Sequence, residues 1–140
     1  MRYLDRLQPL ALLVLRLVLG IIMIAHGYSK VFGGLSRHVQ MVSSLGLPGW
    51  LAYFSAGAEF LGGILVILGI LTRLASFAIT IDMVVAIVKV HWKSGLLGEH
   101  GYQFPLALSA IAFALIFLGA GPIALETLRG GVGSGRSKKA

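Results

Sequence analysis

The chain has 140 residues, 57% hydrophobic and only 12% charged, with a formal charge of +7 and no cysteine. A soluble domain is about a quarter charged, and one this small buries only about two-thirds of its surface, too little to hide so much apolar side chain. Without cysteine there is no disulfide, thiolate-zinc or cysteine-ligated iron–sulfur chemistry, and the composition reads as a single-domain integral membrane protein.

A helix needs about 20 mostly apolar residues to cross a bilayer. The first such stretch spans 9–28 and is interrupted only by Arg16 and His26. Arg2 and Arg6 ahead of it resemble the start of a signal peptide. The stretch is too long for one, however, carries an arginine mid-span and is followed by no A-x-A site, so it is read as a retained helix. Residues 29–49 form a loop containing Gly33-Gly34, a mildly amphipathic stretch from Arg37 to Leu45, and the breaker Leu47-Pro48-Gly49. The second helix is expected over 50–71 with Glu59 inside it. Thr72-Arg73 then turns the chain into an antiparallel third helix over 74–92, which holds Asp82 and Lys89. A polar loop, 93–103, leads to a fourth helix over 104–125 with no ionisable group before Glu126. The apolar runs are too continuous for barrel alternation, and an isolated strand cannot cross lipid with its backbone unpaired. The expected fold is an all-α membrane protein, a bundle of four transmembrane helices in one domain, 1–129. A basic, glycine-rich tail, 130–140, is read as flexible.

Arg2, Arg6, Arg73, Arg129, Arg136, Lys138 and Lys139 fall on one side of this arrangement, and Lys30, Arg37, Lys89 and Lys93 on the other. Cations favour the cytoplasm, so both termini are expected inside, in a multi-pass protein of a bacterial-type plasma membrane. The net charge of +7 is read as topology and attraction to anionic lipid, with the bilayer as the partner and no nucleic acid.

Charges inside the helices carry the functional signal, because an ionisable group near the bilayer centre costs at least about 2.5 kcal/mol and needs a partner. At about 100° per residue, Arg16 shares a face with Gly20, Met23, Gly27 and Lys30. Glu59 shares one with Ala52, Ser55, Gly62 and Gly63, and Asp82 one with Ala75, Ala78, Ala86 and Lys89. Each charge thus lies on a stripe of small residues, where helices approach most closely. All three also lie roughly 12–18 Å from the same membrane face by helical rise. Arg16, Glu59 and Asp82 are expected to meet as one buried cluster, either as a structural staple or as a proton-handling site. Glu59 and Asp82 are the candidate catalytic groups. Arg16, Lys30, Lys89, Tyr28 and Tyr53 are the candidate ligand-binding residues, the two lysines standing above the cluster and the tyrosines forming walls.

His26 and His91 invite a haem reading, but on a helical wheel His91 points about 180° from Asp82 and His26 about 80° from the Arg16 face. His38 and His100 read as loop residues with no metal-ligand spacing to a second donor, and no metal site is expected.

Arg16-x3-Gly20 followed by His26-Gly27-Tyr28-Ser29-Lys30-Val31-Phe32 resembles the first helix of DoxX-family membrane proteins. Glu59-Phe60-Leu61-Gly62-Gly63, with Gly69, Thr72-Arg73 and Ala75, looks like that family's second helix and turn. Val90-His91 with Gly95, then Gly101-Tyr102-Gln103-Phe104-Pro105-Leu106, resembles its outer loop and the start of its fourth helix. Gly119-Ala120-Gly121-Pro122 is similar to its Gly-Pro-Gly ending, with altered spacing. The resemblance covers nearly the whole chain and implies a four-helix membrane bundle. The family takes its name from the small subunit of a thiosulfate:quinone oxidoreductase, and other members are linked to quinone or catechol resistance and oxidative-stress complexes.

Three function classes are open to such a chain. One is a quinone-linked redox or oxidative-stress subunit, with no intrinsic cofactor and with quinone and a membrane or peripheral redox partner supplied from outside. The second is a non-catalytic scaffold or accessory subunit, self-associated or within a larger complex. The third is a small-molecule or proton carrier. A quinone or lipid-like ligand bound next to Arg16 would favour the first class, a large flat apolar face with a filled bundle core the second, and a wet cavity linking Lys30 and Lys89 to Arg16 the third.

Overall fold

A computed structural model describes residues 1–128; the tail expected over 130–140 lies outside the described residues. A single turn, α1 (Arg2–Asp5), precedes α2 (Gln8–Gly33). A short helix, α3 (Leu35–Ser44), leads to α4 (Leu51–Leu68), and α5 (Thr72–Ala86) continues into a π turn (Ile87–His91) and a 3-10 turn (Trp92–Ser94). The last long helix is α6 (Gln103–Leu118), and no strand occurs among the described residues. Gln8–Gly33, Leu51–Leu68 and Thr72–Ser94 are long and apolar enough to cross a membrane, and α6 is a shorter apolar helix.

These four elements pack as α2 on α4, α4 on α5, α5 on α6 and α6 back on α2. Leu19, Val66, Ile79, Ala112 and Leu115 fill the centre with no exposure at all, while Ile21, Leu61, Phe77 and Phe113 point outward. An apolar core with an equally apolar outside is what a helix bundle in lipid requires. The α2–α4 crossing is the tightest. A Cβ on Gly20 or on Gly63 would come within 2.8 Å of the other's carbonyl oxygen, so only glycine lets the two backbones approach this closely.

Three boundaries depart from the sequence expectation. Helix α2 runs on to Gly33, stopped by Gly34 at φ 152°, and the amphipathic stretch of the next loop is itself helical. His38 and Val42, one turn apart, are the face that α3 buries. The α4–α5 turn sits at 69–71 rather than at Thr72-Arg73. Gly69 at φ 71° lets its own N–H and that of Ile70 fold back on the Val66 and Leu65 carbonyls, and α5 starts at once. The fourth helix ends at Leu118 instead of 125, because Gly119 (φ 72°) and Gly121 (φ 79°) leave the helical region and Pro122 comes directly after them. The released segment folds across the α4–α5 turn, where the Glu126 N–H donates to the Gly69 carbonyl at 3.0 Å.

Candidate functional site

Arg16 does not join the carboxylates. It is 1% exposed, and its guanidinium donates to four carbonyls: Val66 at 2.9 Å, Ile67 at 2.8 Å, Ala120 at 3.0 Å and Ile123 at 2.6 Å. The reason is directional. A helical side chain tilts towards its own N-terminus, so a long arginine on α2 reaches away from Glu59 and towards the end of antiparallel α4. There it meets last-turn carbonyls and the partial negative charge of the α4 C-terminus, together with two carbonyls of the segment after α6. Val66 lies seven residues from Glu59, or about 10 Å along the helix. Arg73 plays a similar part for α6, donating to the Ile116 carbonyl at 3.2 Å. The two arginines close one end of the bundle.

At the other end Lys30 takes the place expected for Arg16. Its Nζ lies 2.5 Å from Glu59 Oε1, the one ion pair among the described residues. The same tilt explains it: Lys30 on α2 leans inward along the bundle, while Glu59 on α4 leans out to meet it. Asp82 neighbours Glu59 and Ser55. Glu59 and Asp82 are both buried, and Glu59 Oε2 and Asp82 Oδ2 have no hydrogen-bond partner among the described residues. Two carboxyl groups against one ammonium can hold a proton between them, and each oxygen left over can accept a bond from a ligand.

His38 closes the group from α3. It is buried, and its Nε2 is likewise without a partner among the described residues. Burial holds the imidazole below its ordinary range, the Lys30 ammonium adds to this, and the Asp82 carboxyl opposes it.

Two cavities meet at these residues. The first, about 330 Å³, has apolar walls including Leu45, Leu51, Phe54, Ile81 and Val85. Its polar side is Lys30, His38, Ser55, Glu59, Asp82 and Lys89. The second, about 380 Å³, lies against α6 and is lined by His26, His91, His100 and Gln103 as well as Met23 and Met83. Lys30, Glu59, Ala86 and His91 line both.

Of the residues singled out in the sequence, Lys30, Glu59, Asp82 and Lys89 are brought to the first cavity. Arg16 is not, and neither are Tyr28 and Tyr53, which are exposed on the outer surface. Tyr28 packs on Phe32 instead, ring centroids 4.9 Å apart. Among the described residues no cluster of three or more histidines and acids is placed to hold a metal.

Two residues of the first cavity, His38 and His91, are weighed in the sequence and set aside there. His38 reads there as a loop residue, although the amphipathic stretch from Arg37 to Leu45 is the signal that α3 buries one face. A helical wheel turns His91 away from Asp82, because it assumes an unbroken α-helix. The π turn at Ile87–His91 adds a residue to that turn and rotates the chain beyond it by about 100°. His91 therefore reaches the cavities, and its Nδ1–H donates to the His100 carbonyl at 2.7 Å.

The chain is 37% identical over 103 residues to "Putative oxidoreductase CatD" of Bacillus subtilis (strain 168), covering 74% of this chain and 76% of that protein. It is 33% identical over 135 residues to an uncharacterized protein of Haemophilus influenzae, covering 90% and 96% of the two chains. No solved structure matches it. The DoxX family model matches residues 11–92, which include Lys30, His38, Glu59, Asp82 and His91. With more than half its length matched and a relative of this identity over three-quarters of both chains, the protein belongs to the DoxX family.

Proposed function

We propose that the protein is a quinone-linked membrane subunit of an oxidoreductase, with the first cavity as the quinone site. The observation that carries this reading is the pairing of a roughly 330 Å³ apolar cavity with unpartnered polar atoms of Glu59, Asp82 and His38 at one side. That volume falls within the range of about 300–1,000 Å³ typical of small-molecule sites, and the division between apolar walls and a few convergent polar groups is typical too. A quinone supplies two-electron, two-proton chemistry when bound. The protein's own residues would hold the apolar ring between Leu51, Phe54, Ile81 and Val85, and would give or take a proton at the Glu59–Asp82 pair. Lys30 and Lys89 would offer ammonium donors to a carbonyl oxygen. Electrons would come from a partner subunit, because the chain carries neither thiols nor a dinucleotide-binding fingerprint. The relative named as an oxidoreductase supports the redox class.

In this proposal α2, α4, the α5 span and α6 all cross a bacterial plasma membrane, with both termini cytoplasmic. The cavities then lie towards the outer face. A ligand-sized cleft beside the filled core weighs against a purely scaffolding role.

Titration of a short-chain quinone analogue into the detergent-purified protein tests the reading. Saturable binding that is weakened by Asp82→Asn and by Phe54→Trp, which fills the cavity, is expected. Absence of binding to the wild type, or affinity unchanged in both variants, would return the protein to the scaffold class.

A further inference from the structure

The second cavity has no part in holding the ring, yet it shares Lys30, Glu59, Ala86 and His91 with the first. Its character is different. His26, His91, His100 and Gln103 converge on it, and its outer side is the loop over residues 95–103 that His91 ties down through His100. At about 380 Å³ it has room for several waters at roughly 30 Å³ each, and the polar partners that ordered water needs.

The opposite approach to Glu59 is shut. Leu19, Val66, Ile79 and Leu115 are fully buried between the pair and the Arg16 end, and that end is closed by the carbonyl bonds of Arg16 and Arg73. We propose that the second cavity is an aqueous inlet through which the Lys30–Glu59 pair exchanges protons with the membrane face bearing His100, and with that face alone.

In the uptake step a proton leaves a hydronium ion in the inlet and forms an O–H bond on the Glu59 carboxylate, leaving water behind. Lys30 stays an ammonium and turns to the Asp82 carboxylate, and no electron moves. The other titratable groups facing the pair are Asp82 from α5, His38 from α3, His26 from α2, and Lys89, His91 and His100 beyond α5. Helix α6 offers only the neutral Gln103. The inlet would supply protons to the proposed redox reaction, and its tests need no quinone.

Because the native chain has no cysteine, single substitutions report access cleanly. In sealed vesicles a charged methanethiosulfonate is added to one side at a time, with His100→Cys marking the face in question. His26→Cys and Ala86→Cys, on the accessible part of the inlet wall, are expected to react from the same side as His100→Cys and not from the other. Leu19→Cys is expected to react from neither. In the unlabelled wild type, the infrared carboxyl band that disappears in Glu59→Gln is expected to follow the pH of the His100 side only. If either wall variant fails to fold, the other and the infrared band decide. Unreactive sites at 26 and 86 beside a reactive His100→Cys, or a band that tracks the opposite side, would overturn the inlet. Sided access with no quinone binding would overturn the proposed function and leave the inlet standing.

Discussion

Lys30 and Glu59 meet at 2.5 Å across the α2–α4 crossing, and this pair forms the wall between the two cavities. The Glu59 side chain is only 3% exposed, against 26% for Lys30, so the carboxylate depends on its partner far more than the lysine does. Lys30→Met is therefore expected to destabilise the protein by about 2–4 kcal/mol, by leaving a buried charge unpaired. Adding Glu59→Gln should recover most of that loss. Thermal unfolding of the two single variants and the double variant in one detergent measures the coupling, and additive losses would contradict the pairing.

Arg16→Leu is expected to cost about 3 kcal/mol, because two carbonyls at the end of α4 and two in the segment after α6 lose the guanidinium donor. Arg16→Lys should recover only part of this, since an ammonium lacks the planar fork that reaches the α4 end and the segment after α6 at once. Neither change should alter quinone-analogue affinity in the protein that remains folded. A matching fall in affinity would place Arg16 back in the site.

Gly63→Ala puts a methyl group 2.8 Å from the Gly20 carbonyl oxygen. The α2–α4 crossing must then open, and Lys30 moves away from Glu59. Gly57→Ala, where a Cβ meets nothing within 4 Å, is the control from the same helix. The melting temperature should fall with the first and hold with the second.

His38 gives the fold a predictable response to acid. Its folded-state affinity for a proton lies below the ordinary value of 6.5, through burial and the nearby Lys30 ammonium. The unfolded chain consequently takes up the proton first as pH falls. This contribution to stability is complete above about pH 6.5 and is lost progressively below it. Melting temperatures between about pH 7.5 and about pH 5.5 should show a decline that His38→Gln flattens. An identical decline in that variant would assign it to other groups.

The spans were legible because apolar runs of membrane length leave little choice, and Glu59 and Asp82 because charge in such a run is rare. The partner of these acids was not legible. Residue depth set Arg16 level with them, but the tilt of long side chains along an antiparallel pair sends Arg16 one way and brings Lys30 in from the other. Residue counts along a helix record Cα height only. Local irregularity hid the rest: the π turn that redirects His91, and the ten-residue α3 that carries His38 out of its loop.

Photo-crosslinking with an azido-quinone, mapped by peptide mass spectrometry, tests the central claim most directly. Adducts should fall on the residues of the first cavity, in the segments 38–59 and 81–91, should be competed by unlabelled quinone, and should be lost when Phe54→Trp fills the space. Adducts confined to the outward-facing Tyr28, Phe113 or Phe117, or adducts that excess quinone does not displace, would contradict a quinone site at the Lys30–Glu59–Asp82 group.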